Sequence, residues 1–314
     1  MYIYLSLMGR IGNQLFQYAF AYAVQEEIGQ GQDAKIIIDE SAVIDKNWIN
    51  SLREYSLPNV EFVQNQKCLL KKHFGVSAIL LQLYHILVRR KNALLQYKLE
   101  KMLQPLFNHF GLIAIERGYW NYKINRKRNI ILDGYFQSER YFERAKEKVI
   151  QLFDLTDQLE SVGYPFVEML RERNSVCISI KVEHNAEQNR STEYSAFDVC
   201  HEKYYEEAIE YILQNVEKPL FFLCSDDIEY ARNHYLKNPQ YDVVCQPKDF
   251  PVHYSLAAMS LCKHFIINNT TFGWWAQYLS KNENKIVVAP SRWKNNRDPV
   301  NIYDNQNNWH LVEC

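Results

Sequence analysis

The stretch PLFFLCSDDIEYARNHYLKNPQYDVVC, residues 219–245, decides the fold. Pro219–Cys224 is a short apolar run. Asp227–Tyr235 carries a helical pattern behind two acids, and Tyr241–Cys245 is again β-prone. Two short apolar runs flanking one helix read as a βαβ unit, whose strands are parallel and covered on both faces. The alternation continues outward. Strand Ser175–Ile180 and helix Glu202–Asn215 precede it. Helix Ser255–Cys262, strand His264–Asn268, helix Phe272–Ser280 and strand Lys285–Ala289 follow. This pattern predicts an α/β fold with a doubly wound parallel sheet, in which ligands sit beyond the carboxyl ends of the strands. The polar residues at those ends are His184, Ser225-Asp226-Asp227, Asn268 to Thr271, and Pro290-Ser291-Arg292.

The N-terminal half opens the same way. Tyr2–Leu5 is β-prone, Gly9-Arg10-Ile11-Gly12-Asn13 is a glycine turn, and Gln14–Glu26 is apolar at helical spacing. Ala34–Ile38 and Asn129–Gly134 read as further strands, and Ser138–Phe153 as a helix. Residues 67–104 stand apart: six Lys and two Arg face one acid, Glu100, a local net of +7. Leu80, Leu83, Leu87, Leu94, Leu95, Leu99 and Met102 recur there at helical spacing, which predicts one or two amphipathic basic helices inserted into the domain. Such helices fit either a packed, solvated pair or a surface for anionic lipid. A linker near Ser161–Gly163 divides the 314 residues into expected domains 1–160 and 161–314.

Composition excludes other classes. Hydrophobic residues at 47 % and only 19 Gly and Pro describe a folded chain, not a disordered one. A net charge of −1 argues against a nucleic-acid binder, which needs uncompensated cations. The start MYIYLSLMGRIGNQ lacks the basic and apolar regions of a signal peptide. No apolar run reaches the length of a membrane span; the longest cluster, Ala78–Val88, is broken by Gln82 and His85. Seven widely spaced cysteines without a Cys-x-x-Cys pair fit reduced thiols in a cytoplasmic protein.

Three segments can carry chemistry. The glycine turn lets a ligand approach the backbone and offers helix-start amides, but it lacks the third glycine of the dinucleotide fingerprint. Thr270 and Thr271 can cap a helix and donate to a phosphate, or simply precede two core tryptophans, Trp274 and Trp275. Ser225-Asp226-Asp227 can bind sugar hydroxyls or cap the next helix. Neither an Asp-x-Asp metal–diphosphate motif nor a Gly-x-x-x-x-Gly-Lys phosphate loop occurs.

Together these segments are far more specific. Gly-x-x-Gly-Asn-Gln-Leu-Phe-Gln-Tyr-Ala (Gly9 to Ala19), Gly-Tyr-Phe-Gln-Ser-Glu-Arg-Tyr-Phe (Gly134 to Phe142), Ser-Asp-Asp, Met-Ser-x-Cys-Lys-His-Phe-Ile-Ile (Met259 to Ile267), Asn-x-Thr-Phe-x-Trp-Trp (Asn269 to Trp275), and Ala289-Pro290 with Arg292-Trp293 occur in this order. In these the chain resembles the bacterial α-1,2-fucosyltransferases over nearly its whole length. The resemblance implies a GT-B arrangement, two Rossmann-like domains facing a central cleft. It also implies inverting, metal-independent transfer of fucose from GDP-fucose to a galactose-type hydroxyl of an O-antigen or capsule precursor, with no cofactor beyond the donor. By position, it places Gly12, Asn13, Ser225, Asp226, Asp227, Thr270, Thr271 and Phe272 at the donor, and Asn13, Tyr135 and Gln137 at the acceptor. The implied partners are a nucleotide sugar and an oligosaccharide or lipid-linked glycan, reached from the cytoplasm, with a peripheral contact to the inner membrane face.

One motif departs. Where the family carries His-x-Arg-Arg-Gly-Asp-Tyr, this chain reads Ser179-Ile180-Lys181-Val182-Glu183-His184-Asn185. Lys181 keeps the charge of the first Arg but not its bidentate fork, and Val182 removes the second cation. A lost diphosphate contact of this kind costs roughly 1.5–3 kcal/mol. Three readings stay open: fucose transfer with a rebuilt clamp, transfer from another nucleotide sugar, or binding without catalysis. The expected catalytic set is Lys181, which supports the leaving diphosphate, with Glu183 and His184 as candidate bases.

Overall fold

The protein, seen as a computed structural model, is described for residues 1–29, 34–64, 67–116, 118–184, 196–295 and 308–314, with the backbone alone for residues 67–69, 71 and 184. It divides into two compact α/β units, the first ending at Leu152 and the second beginning at Phe153. Ser161 is not in a linker. It lies in a helix, Thr156–Val162, which Gly163 closes in the left-handed conformation.

The first unit is built on five parallel strands in the order β3-β2-β1-β5-β4. They are β1 (Tyr2–Ser6), β2 (Lys35–Asp39), β3 (Val60–Val63), β4 (Leu112–Ile115) and β5 (Ile130–Gly134). Strand β1 pairs with β2 from Tyr2↔Lys35 to Ser6↔Asp39, and with β5 from Ile3↔Ile130 to Leu5↔Leu132. The central strands are apolar without alternation because both faces are covered. Strands β3 and β4 escape sequence reading: each has four residues, and β4 begins directly after a helix ended by left-handed Gly111.

Helix α1 (Ile11–Ile28) packs against β1 and β2. After it come α2 (Ser41–Asp45), α3 (Lys67–Phe74), α4 (Val76–Leu87) and α5 (Ala93–Phe110). The basic stretch is therefore three helices, not one or two, and it continues past residue 104. Nor is it an insertion. Phe74, Ala78, Leu81, Tyr84 and Phe107 bury themselves on Tyr4, Ile37, Ala114 and Ile131, so the stretch is the covering layer of the β3-to-β4 crossover. Gly75, at φ 47°, breaks the first two helices apart. Asn92 caps the third by accepting from the Leu95 amide.

The helix expected over Ser138–Phe153 exists only in its last half. Residues 139–141 and 143–145 form 3₁₀ turns, and α6 (Lys146–Phe153) follows. Buried Phe136, Tyr141 and Phe142 drive the interruption. Phe136, at φ 50°, and Tyr141 both pack on Phe20 at 4.7 Å between ring centroids, and Phe142 lies 6.0 Å from Phe16.

The second unit holds six parallel strands in the order β11-β10-β9-β6-β7-β8. They are β6 (Ser175–Ile180), β7 (Leu220–Ser225), β8 (Asp242–Cys245), β9 (His264–Ile266), β10 (Val287–Pro290) and β11 (His310–Val312), the last unread in the sequence. Helices α7 (Thr156–Val162), α8 (Pro165–Glu172), α9 (Glu202–Asn215), α10 (Ile228–Tyr235), α11 (Val252–Leu261) and α12 (Thr271–Leu279) surround the sheet. The chain winds from β6 through β7 to β8 on one side and returns to β9 on the other, which makes β6/β9 the switch point where such sheets bind ligands. Trp274 and Trp275 are core residues, 1 % and 0 % exposed. The six described cysteines are free thiols. Among the described residues no helix is long and apolar enough to cross a membrane.

Candidate functional site

In the second unit the site grows from the carboxyl ends of β6, β7 and β9. The β6 chain leaves the sheet at Lys181 and turns through a 3₁₀ step, Val182–His184. That turn is held from β7. Asp226 accepts from the Val182 amide at 2.7 Å and the Glu183 amide at 3.0 Å. The Lys181 ammonium lies 2.8 Å from Asp226 and 2.8 Å from Glu183. Burial works against ionisation of Asp226, but the Lys181 charge and these donors outweigh it and lower its pKa. Lys181 is thus not a bare cation aimed at a diphosphate. With two carboxylates it forms a cluster of formal charge −1, able to donate to and accept from hydroxyl or amine groups.

Val182 is 8 % exposed and packs in the core with Ile180 and Tyr205, so no cation can act from that position. The His184 side chain lies outside the described residues. Asp227 accepts from the Tyr230 amide and caps α10, while its own amide donates to Ser225 Oγ. Those two residues shape the turn that aims Asp226.

Beside this cluster, Asn268 lies two residues beyond the end of β9. It is 2 % exposed, and its Oδ1 accepts from Ser179 Oγ on β6 at 3.3 Å and from Thr270 Oγ1 at 2.8 Å. Thr270 then caps α12 by accepting from the Gly273 amide. The Thr271 and Phe272 amides, in the first turn, have no intrahelical acceptor, and the helix dipole adds partial positive charge there. Both side chains are half-buried. A helix start of this kind is able to receive an anion. Asn269, also buried, donates to the carbonyls of Phe197 and Trp293 and so ties two neighbouring loops to the same strand end.

In the first unit, Gly9 stands at φ 77°, and a Cβ there would fall 2.5 Å from Asn13 Nδ2, so both the turn and the close approach require glycine. Buried Gln17 exchanges two hydrogen bonds with the Met8 backbone, and buried Gln14 donates to the carbonyls of Gly9 and Ile49 and accepts from the Ser51 amide. These glutamines brace the loop. Gly12 is buried in the first turn of α1, and Asn13 accepts from Gln137 at 2.8 Å, which joins the β1 and β5 strand ends. Phe136, buried between Tyr135 and Gln137, leaves both neighbours half-exposed at that edge.

Sequence reading missed three residues beside this edge. Asp133, 1 % exposed at the end of β5, pairs with Arg89 at 3.2 Å and His85 at 3.1 Å, and Arg89 also reaches Glu116 at 3.3 Å. Burial opposes the charge on Asp133, yet the His85 hydrogen bond and both neighbouring charges hold its pKa below the usual value. These residues belong to no motif; only the crossover of α4 and α5 brings them to the sheet.

The sequence profile of glycosyl transferase family 11 matches residues 2–312. An Escherichia coli O-antigen biosynthesis glycosyltransferase, WbnK, is 25 % identical over 296 residues, 93 % of this chain and 94 % of that one. An Escherichia coli alpha-1,2-colitosyltransferase is 25 % identical over 308 residues, covering 95 % and 94 %. Among solved structures, the fucosyltransferase NodZ from Bradyrhizobium matches with a TM-score of 0.51 and 13 % identity, over 88 % of this chain and 92 % of that one. At that identity the likeness is one of fold, two Rossmann-like units of the GT-B class.

Proposed function

This chain belongs to glycosyl transferase family 11, and we propose that it transfers fucose from GDP-fucose, with inversion and without a metal, to a galactose-type hydroxyl of a surface-polysaccharide precursor. The observation that carries the reading is the capped start of α12 at the β6/β9 switch point, with the Lys181–Asp226–Glu183 cluster beside it. The Thr271 and Phe272 amides and the Thr271 hydroxyl receive the diphosphate, while Thr270, its one proton given to Asn268, holds the helix start that presents them. Asp226, with Lys181, takes hydroxyl or amine groups of the nucleotide or sugar, where a cluster of net −1 charge is no obstacle.

In the transfer, the acceptor oxygen bonds to the anomeric carbon as its bond to the diphosphate oxygen breaks. GDP leaves with the electron pair, and the acceptor proton passes to a carboxylate or to water. Charge grows on the diphosphate, and preorganised amides stabilise it most where it grows. Glu183 is the carboxylate at hand for the proton, and the Lys181 ammonium holds it at 2.8 Å. Asn13, Tyr135 and Gln137 are assigned to the acceptor.

A second sugar has specific support. The position that would carry a second cation is a buried valine, and one relative is named for colitose transfer. The test is a thermal-shift panel of GDP, GDP-fucose, GDP-mannose, UDP and UDP-sugars, followed by incubation of the stabilising donor with galactosides and NMR of the product. A GDP-selective shift and an α-linked product from GDP-β-L-fucose are expected. A UDP-selective shift overturns the donor assignment, and no shift with any nucleotide overturns the enzymatic reading.

A further inference from the structure

Helix α5 is amphipathic with its polar side inward. Gln96, Glu100 and Gln104 recur every fourth residue and are 5 %, 1 % and 4 % exposed. Inside, Glu100 accepts from Tyr84 and Gln96, and Gln104 donates to the Ala114 carbonyl while its own Oε1 has no partner among the described residues. The outer side carries Leu94, Leu95, Met102 and Leu106, all 41 % exposed or more. On α4, which packs beside it over β4, Val76, Ile79, Leu83 and Ile86 also face outward and are at least 45 % exposed. Most of the large exposed apolar side chains among the described residues sit on these two helices.

The charge on this face has one sign. Glu100 is the one acid between residues 67 and 110, and it is buried. Lys72, Arg90, Lys91, Lys98 and Lys101 are exposed. A second copy seated on the same face would oppose cations with cations. An anionic bilayer accepts both components: apolar side chains enter the headgroup boundary, and lysines and arginines meet the phosphates. Position adds a further argument. Arg89, in the turn between α4 and α5, is tied to Asp133 and Glu116 at the carboxyl ends of β5 and β4. That end of the face, with Ile86, Leu87, Arg90 and Lys91, therefore borders the strand-end edge where Asn13 and Gln137 meet.

We propose that the outer face of α4 and α5 docks the protein on an anionic lipid surface and holds the strand-end edge of the first unit at the headgroups. The docking does not depend on the donor assigned above. It is tested by co-sedimentation of the full chain with vesicles of phosphatidylcholine, with and without phosphatidylglycerol, at low and high salt. Partition onto the phosphatidylglycerol vesicles, lost in high salt and absent with phosphatidylcholine alone, is expected. Each exposed cation is worth about fivefold in affinity, so Lys98→Glu with Lys101→Glu lowers partition by about tenfold or more. Leu87→Ser with Leu95→Ser weakens it comparably. Both pairs are solvent-exposed, so unchanged melting temperatures are expected. No partition onto the anionic vesicles, or partition that survives both pairs of substitutions, overturns the proposal. So does a dimer in analytical ultracentrifugation that the leucine substitutions dissociate, which would assign the face to a second copy.

Discussion

Lys181 is shared between Asp226 and Glu183, and its removal leaves two carboxylates facing each other without a cation. Charge-assisted hydrogen bonds of this kind are worth about 1.5–3 kcal/mol, so Lys181→Ala is expected to lower kcat/KM for the nucleotide sugar by roughly 10–100-fold. Steady-state kinetics with the donor found in the nucleotide panel check this; unchanged kcat/KM would remove Lys181 from the site. Glu40 illustrates the same physics in a structural role. It is 2 % exposed and receives Arg53, Asn50 and Gln64. Burial alone would raise its pKa, but these partners pull it from 4.5 to about 2. A depressed carboxylate stabilises the fold above its unfolded value, and the contribution fades as the pH falls from about 4.5 towards about 2. Glu40→Gln is therefore expected to melt below the parent at neutral pH, with the gap closing in acid. Parallel melting curves across that range would contradict it.

At the scale of elements, the start of α12 is the piece on which the proposed diphosphate binding rests. Thr270→Ala removes the cap and costs about 1 kcal/mol. It is also expected to reduce the melting shift that GDP produces, while Thr270→Ser restores both. An unaltered GDP shift in the alanine variant would move the diphosphate elsewhere. Strand β5 has its own constraint: at Gly134 a Cβ would sit 1.8 Å from the Ile115 carbonyl oxygen, inside the β4–β5 pairing. Gly134→Ala should destabilise the first unit by more than the roughly 1–3 kcal/mol of a strained backbone alone. Its melting transition and far-ultraviolet circular dichroism report this.

At the scale of the whole molecule, two parallel sheets each present a set of strand ends, and such ends are where open α/β sheets bind ligands. A ligand that binds only the folded state raises its melting temperature in proportion to the logarithm of its concentration over Kd. GDP at about 100 times its Kd is thus worth about 2.7 kcal/mol. Transfer is expected to persist in EDTA; complete loss restored by manganese would refute a metal-independent reaction.

The βαβ rhythm of residues 175–289 was legible because buried parallel strands must be apolar throughout and the intervening helices carry a different period. The glycine turn, the Thr-Thr-Phe loop and the family resemblance were legible for a related reason: tight turns and helix starts demand particular residues locally. Strands β3, β4 and β11 were not, since three or four residues carry too little pattern and become strands only by pairing with a neighbour. The broken helix after Ser138 followed from aromatic burial against α1, a contact more than a hundred residues away in sequence. Tertiary structure alone decided that Lys181 is neutralised and that Arg89 and His85 meet Asp133. It alone turned the polar stripe of α5 inward and Leu94, Leu95 and Leu106 out. Charge pairing and burial depend on which distant segments the sheets bring together, and no local pattern in the chain specifies that.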